Sequence, residues 1–231
     1  MKPVKSRGYD SPVRRERARQ TRLAIVRAAH ARFIEVGYAS TTLAAVAADA
    51  SVSVDTVYDA FGSKRGLLAA VMDVNVGGDD EPVAVLDREL PQRMRAETDQ
   101  RRQLALFSVG MAGELERMRP LDDVLRSAAA ADPDVAAARR LQNDVQRHAA
   151  MTAVVGWIAD RGPLREGLDV ATAADVVWTL TSPEVHHMLL EIRRWTREQY
   201  ETWLRDTLER SLLREATGDP RAVAGDGGRG P

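Results

Sequence analysis

Apolar residues recur along this chain at helical spacing, and period-two runs of Val, Ile and Thr are absent. Ile25, Val26, Ala29, Phe33 and Val36 form one stripe, which predicts a helix from about Arg17 to Val36 with Gly37 as its terminator. Thr42 then sits where an N-cap belongs, ahead of Leu43, Val46 and Ala47 on an inward face. Ala50-Ser51-Val52 makes a turn in which Val52 plugs the gap between helices. Ser53 caps a second short helix, Val54 to Ala60, with Val57 and Phe61 inward and Val54, Asp55, Thr56, Tyr58 and Asp59 at or near the outer face. Gly62 ends it, Ser63 caps the next helix, and Leu67-Leu68 pin that helix to the core until about Val76.

The remainder is helical as well. Leu104, Phe107/Ser108, Met111, Leu115 and Met118 make a stripe that Pro120 is expected to end, with a short helix following to about Ala130. Asp132-Pro133 gives an N-cap followed by proline at the first helical position. A long helix to about Asp160 follows, aligning Leu141, Val145, His148, Thr152, Val155 and Ala159. Further helices are expected over about Ala171 to Leu180, from Ser182-Pro183 to about Trp195, and from about Thr196 to Arg214. The fold class is all-α, with nine or ten helices. The domains are a disordered basic tail (1–16), a three-helix unit with a helix-turn-helix (17–76), a larger helical domain (83–215), and a disordered Gly-rich tail (218–231). Gly77 to Pro82, acidic and Gly-containing, fits a solvated connector better than a cation site, because no further ligands converge on it.

Two short helices joined by a tight turn, with the second exposed, form the DNA-reading helix-turn-helix arrangement. The segment from Arg22 to Lys64, with LAIVRAAHARFIEVGY, the paired threonines before the first motif helix, and VSVDTVYDAFGSKRGLL, closely resembles the TetR-type transcriptional regulators. The specific part is the spacing of Thr56, Tyr58, Phe61 and Lys64, and the match covers about the first third of the chain. Two positions depart from the family pattern. Ser51 stands where the family usually has glycine, so the turn must avoid a left-handed conformation or carry some strain. Asp55 and Asp59 are unusual residues to place beside phosphates.

The resemblance implies a double-stranded DNA operator as partner. Thr42, Tyr58 and Lys64 are the candidate phosphate contacts, and Val54, Asp55, Thr56 and Asp59 the candidate base readers. Ala44 and Ser53 complete the set of DNA-binding positions. Asp55 has a local reading too, because a carboxylate in a first helical turn complements the macrodipole.

Charge distribution points the same way. The chain's net charge is −1, yet the residues up to Arg32 hold ten basic side chains against Asp10 and Glu16, a balance of +8. Everything after sums to −9, an asymmetry that fits one end meeting phosphate, although a solvated tail accounts equally for the residues before Val13.

The resemblance further implies that the second domain takes a small, largely apolar effector, and Phe107, Met111, Met151, Trp157 and Trp178, bulky or pliable enough to line an apolar pocket, are the candidate pocket residues. Each of them also suits plain core filling. The wide apolar face of the last two helices, with Trp195, Trp203, Leu204 and Leu208, suggests a homodimer interface.

Cysteine is absent, which removes disulfides and thiol chemistry. Adjacent His186 and His187 point to different helix faces, and no phosphate loop, nucleophile elbow or HExxH occurs, so no metal, cofactor or catalytic residue is expected. No signal peptide or membrane span is legible, and the expected location is cytoplasmic. The reading is a dimeric repressor released from its operator by ligand. The alternative is a helical ligand-binding or adaptor protein that has lost specific DNA binding.

Overall fold

The computed structural model describes residues 12–78 and 83–214. The described residues are helical almost throughout, apart from a single isolated bridge between Leu164 and Leu213. The expected acidic connector at 79–82, the tail up to residue 11 and the tail after 218 lie outside them.

Among the described residues eleven α-helices follow in order: α1 Pro12–Ser40, α2 Leu43–Asp49, α3 Val54–Phe61, α4 Lys64–Gly77, α5 Glu89–Ala96, α6 Gln100–Ala129, α7 Pro133–Arg140, α8 Arg147–Ala159, α9 Val170–Leu180, α10 Pro183–His187 and α11 Arg197–Leu212. A 3-10 turn covers Val85–Asp87, and π-helical turns cover Leu141–Gln146 and Met188–Ile192.

The chain forms two compact units. The first comprises Met1–Pro91 with Met111–Arg147, the second Gln92–Gly110 with His148–Pro231. In the first, Ile25, Ala29 and Phe33 of α1 meet Val46 of α2, Val57 of α3 and Leu67, Leu68 and Val71 of α4 in one core. Leu121 and Leu125 of α6 and Val135 of α7 complete that core, so it draws on residues well beyond the helix-turn-helix. In the second unit, Tyr200, Leu204, Leu208 and Leu212 of α11 are fully buried, and α9 contributes Ala173, Ala174 and Val177. Gln100 of α6 donates to the carbonyls of Ile158 and Gly162, fixing the end of α8. Arg161 donates to the carbonyls of Arg95 and Glu97, closing the loop that follows α8 onto the end of α5.

Several boundaries differ from the pattern-based expectation. Helix α1 starts at Pro12, so residues 12–16 are helical rather than part of a disordered tail. Its break falls at Gly37, with φ 82, as the glycine there predicts. Pro120 does not end α6, which runs through it. Proline removes one N–H from the ladder, and the full burial of Leu121 and near-full burial of Leu125 one turn on offset that loss.

The long helix predicted after Pro133 is interrupted by the π-helical turn, which widens the spacing and rotates everything after it. Leu141 and Val145 are consequently exposed. The buried face of α8 is Met151, Val154, Val155 and Ile158, so Val155 of the predicted row is buried while His148, Thr152 and Ala159 are only part-buried. The same device shortens α10, whose helical run ends at Ile192 instead of reaching Trp195. Asp169, missed in the sequence, caps α9 by accepting from the Thr172 N–H. Thr196 and Gln199 close a reciprocal capping box at α11.

Candidate nucleic-acid interface

Three hydroxyl caps set the geometry of the helix-turn-helix. Thr42 accepts from the Ala45 N–H, Ser53 from the Thr56 N–H, and Ser63 from the Gly66 N–H, each at 3.1 Å. Every helix start in the motif is therefore fixed by a side chain one residue outside it.

Between α2 and α3 the backbone turns through Ser51, which adopts φ 55. The glycine-like conformation is thus retained without the glycine, and the turn carries the strain of a Cβ in the left-handed region. N–H donation from Val52 to Ala47 and from Ser51 to Ala48 holds it. Val52 packs against the core beneath, as its apolar character predicts.

Helix α3 buries only Val57 fully. Asp55, Tyr58 and Asp59 are exposed, whereas Val54 and Thr56 are part-buried. Val54 packs on the core's edge, and the Thr56 hydroxyl is 2.8 Å from the Ser53 hydroxyl. Ala44 and Thr42 lie exposed on the first motif helix and at its cap. The predicted reading positions therefore divide: Asp55, Tyr58 and Asp59 face solvent, while Val54 and Thr56 are partly committed to the fold.

Lys64, the last residue of the motif spacing, is part-buried. Its Nζ lies 4.2 Å from the centre of the Tyr38 ring and donates to the Ala39 carbonyl at 3.2 Å. Burial lowers its pKa, with Asp132 pulling the other way. Beneath it Tyr38 is buried, and that burial, helped by Asp132 and Asp134, pushes its phenol up to about 12. Arg65 reaches Asp134 at 3.4 Å on the same side, though both groups are well exposed and the pair contributes little.

Two arginines that the motif pattern does not mark brace the interface. Arg22 of α1 donates to the Ala60 carbonyl at 2.8 Å, and its guanidinium stacks on Phe61 at 4.3 Å. It thus caps the C-terminal end of α3, where a cation complements both the open carbonyls and the dipole. Arg32 holds Asp49, the last residue of α2, with one N–H at 2.9 Å. Both partners lie far away in sequence, so no local spacing signals either contact.

The other predicted sites fall elsewhere. Met111 belongs to the first unit, and Phe107, Met151, Trp157 and Trp178 to the second. Phe107, Met111 and Met151 are buried; Trp157 carries Arg95 5.7 Å above its ring, and Trp178 meets His148 edge-on at 6.3 Å.

The proposed interface residues Leu204 and Leu208 are fully buried inside their own unit. They are core rather than interface, because the inner face of α11 is covered by its own chain. Trp195 and Trp203 remain part-exposed and stack edge-to-face at 6.0 Å. Among the described residues, no cluster of three or more His, Asp or Glu could hold a metal, and no helix is long and apolar enough to cross a membrane.

Residues 25–71 match the family model of the bacterial regulatory proteins of the tetR family. No protein of curated function matches the chain. Among solved structures, SmeT in its complex with triclosan superposes with a TM-score of 0.65 at 22% identity, over 91% of this chain and 100% of SmeT. NalD of Pseudomonas aeruginosa, the secondary repressor of the MexAB-OprM multidrug efflux pump, gives 0.64 at 21%, over 87% and 100%. A TetR transcription regulator from Haloarcula marismortui gives 0.60 at 18%, over 84% and 99%. The resemblance carried by Thr56, Tyr58, Phe61 and Lys64 thus falls within a tetR-family match, on a fold shared along nearly the whole length of these regulators.

Proposed function

We propose that the chain is a dimeric transcriptional repressor whose helix-turn-helix binds a double-stranded DNA operator and releases it when a small, largely apolar ligand binds the second unit. The observation that carries the reading is the capped helix-turn-helix itself. Its second helix presents Asp55, Tyr58 and Asp59 to solvent while Val57 alone is fully buried, so the exposed face has no structural use inside the protomer. Thr42 and Tyr58 are placed to meet phosphate, and Lys64 can do so by rotating its ammonium off the Ala39 carbonyl. Asp55 can accept from cytosine N4 in the major groove.

Repression is supported by the likeness to NalD, and an apolar effector by the likeness to SmeT, which was captured with triclosan. Dimerisation is supported by the surface of the second unit. Met188 and Ile192 are exposed on one π-helical turn, and the part-exposed Trp195 follows. These replace Leu204 and Leu208 as the candidate contacts. A two-fold dimer would set two copies of α3 at successive major grooves, ~34 Å apart.

The two exposed carboxylates of α3 favour a second reading, a ligand-binding or adaptor protein without operator binding. Gel-shift with the DNA flanking the chain's own gene separates the two. A discrete complex that resists excess random duplex supports the repressor, and its absence at submicromolar protein supports the adaptor.

A further inference from the structure

Two cations stand where helix α4 is least able to use them. Ser63 caps the helix, so Lys64 and Arg65 are its first two residues, at the positive end of its dipole, and no acidic residue shares that turn. A cation in a first turn lowers helix stability, so nothing inside α4 accounts for two of them.

Two carboxylates of the same unit answer that charge. Asp134, in the first turn of α7, accepts from Arg65 at 3.4 Å. Asp132, the cap of α7, is near enough to Lys64 to oppose the effect of burial on its ammonium. Both aspartates also act on the phenol of Tyr38, the ring against which Lys64 rests at 4.2 Å. Tyr38, Lys64, Arg65, Asp132 and Asp134 therefore form one cluster, drawn from the end of α1, the start of α4 and the start of α7.

The two sides of this cluster differ in how firmly they are held. Asp132 accepts from the N–H groups of Asp134 and Val135, at 2.9 and 3.3 Å, and Val135 is buried in the core that holds Leu67 and Leu68 of α4. The carboxylates cannot drift from the cations without disturbing that core. Lys64, by contrast, keeps a single hydrogen bond, to the Ala39 carbonyl at 3.2 Å. The Arg65–Asp134 pair is well exposed, so an incoming anion exchanges for it at little cost.

We infer that Asp132 and Asp134 are an internal stand-in for phosphate, holding Lys64 and Arg65 while no nucleic acid is bound and lowering the affinity for any duplex that must displace them. The inference rests on the DNA-binding reading above, in which Lys64 meets phosphate. At each cation the duplex has to exchange carboxylate for phosphate, so part of the counterion release that drives association has already taken place inside the protein. Such a contact is blind to base sequence and lowers the affinity for every duplex by the same factor. A complex that also has base contacts tolerates that factor, whereas one made of phosphate contacts alone does not.

D132N/D134N removes both charges and keeps the cap, because asparagine caps a helix as well as aspartate does. Fluorescence anisotropy on the full-length protein, with a labelled mixed-sequence duplex of about 30 base pairs at about 50 mM salt, should show Kd lowered roughly three- to tenfold. Screening should shrink that gain below about twofold at about 300 mM salt. In a K64Q/R65Q background the same two substitutions should change Kd by less than about twofold, because the groups they act through are gone. Where that background binds too weakly to read, D134N cycled against R65Q measures the one direct pair. D87N/D144N removes two exposed carboxylates elsewhere in the first unit and should leave Kd unchanged. D134N alone leaves the cap untouched and should give roughly half of the gain in log Kd, which keeps the test readable if the double variant unfolds.

An unchanged Kd in folded D132N/D134N overturns the inference. So does a gain of full size in the K64Q/R65Q background, since the acids would then repel the duplex without acting through those cations. An equal gain from D87N/D144N overturns it as well, by reducing the effect to net charge. If neither the wild type nor any variant binds duplex at low salt, the DNA-binding reading itself falls, an outcome distinct from the others.

Discussion

Glu114 of α6 sits part-buried in the first unit, with Arg117 and Arg147 near enough to act on it. Burial dominates, and it pushes the carboxyl from 4.5 up to about 7 while the two guanidinium groups pull the other way. The folded state therefore prefers the neutral acid. A raised carboxyl pKa means that this contribution is fully present below the unfolded value and is lost as pH rises through the folded value. A shift of this size corresponds to about 3 kcal/mol between its limits, and solvent still reaching the side chain reduces it to about 2 kcal/mol. Glu114→Gln keeps the shape and cannot ionise. Urea unfolding of wild type and variant at pH 5 and pH 8 isolates the effect, because the part shared with His30 and Asp73, whose pKa values also move, cancels in the difference. The variant should be close to wild type at pH 5 and more stable by about 2 kcal/mol at pH 8, a midpoint shift of about 1 M urea. A stability difference that is the same at both pH values would refute the reasoning. A wild type favoured at pH 8 would mean that the arginines outweigh burial.

Ser51→Gly relieves a left-handed residue costing about 1 kcal/mol but frees the unfolded chain by a little less, so the melting temperature should rise by about 1–2 °C; a fall would mean that Ser51 is not strained. Leu208→Ala empties a fully buried site and should cost about 3–4 kcal/mol in chemical denaturation, and a loss under 1 kcal/mol would return Leu208 to the surface. Met188→Glu with Ile192→Glu should, by contrast, halve the mass seen in light scattering while leaving the helical circular dichroism spectrum unchanged; a persistent dimer moves the interface elsewhere.

Local structure was legible at most of the caps and short apolar periods. Thr42, Ser53, Ser63, Asp132 and Ser182 all accept from the helix they precede, because capping depends on residues two or three apart, whereas the caps at Asp169 and Thr196 were not read from the sequence. Stripes failed where the helix itself was irregular. Leu141 and Val145 match the α-helical period, and the π turn beginning at Leu141 takes them off the core face; a periodicity argument assumes the ladder that such a turn breaks. The α11 stripe was recognised, but its destination was not. Leu204 and Leu208 lie on an apolar face wide enough for an interface, and sequence alone cannot say whether a face is covered by its own chain. In the candidate site, Tyr58 and Asp55 were placed outward correctly, whereas Arg22 was invisible because its partners Ala60 and Phe61 lie nearly forty residues away.

The reach of the first unit decides how much of the chain α3 needs in order to stay folded. The spacing of motif residues suggests that DNA reading ends near Val76. The core beneath α3 nevertheless includes Leu121, Leu125 and Val135, all essentially buried. A chain cut after Pro91 would remove those three side chains from the core that also holds Phe33, Val57 and Leu67. At about 1.5–3 kcal/mol for each large apolar side chain, that loss rivals the whole stability of a small domain. The recognition helix is therefore not carried by an autonomous three-helix module. Helix α6 begins in the second unit and ends inside the core of the first.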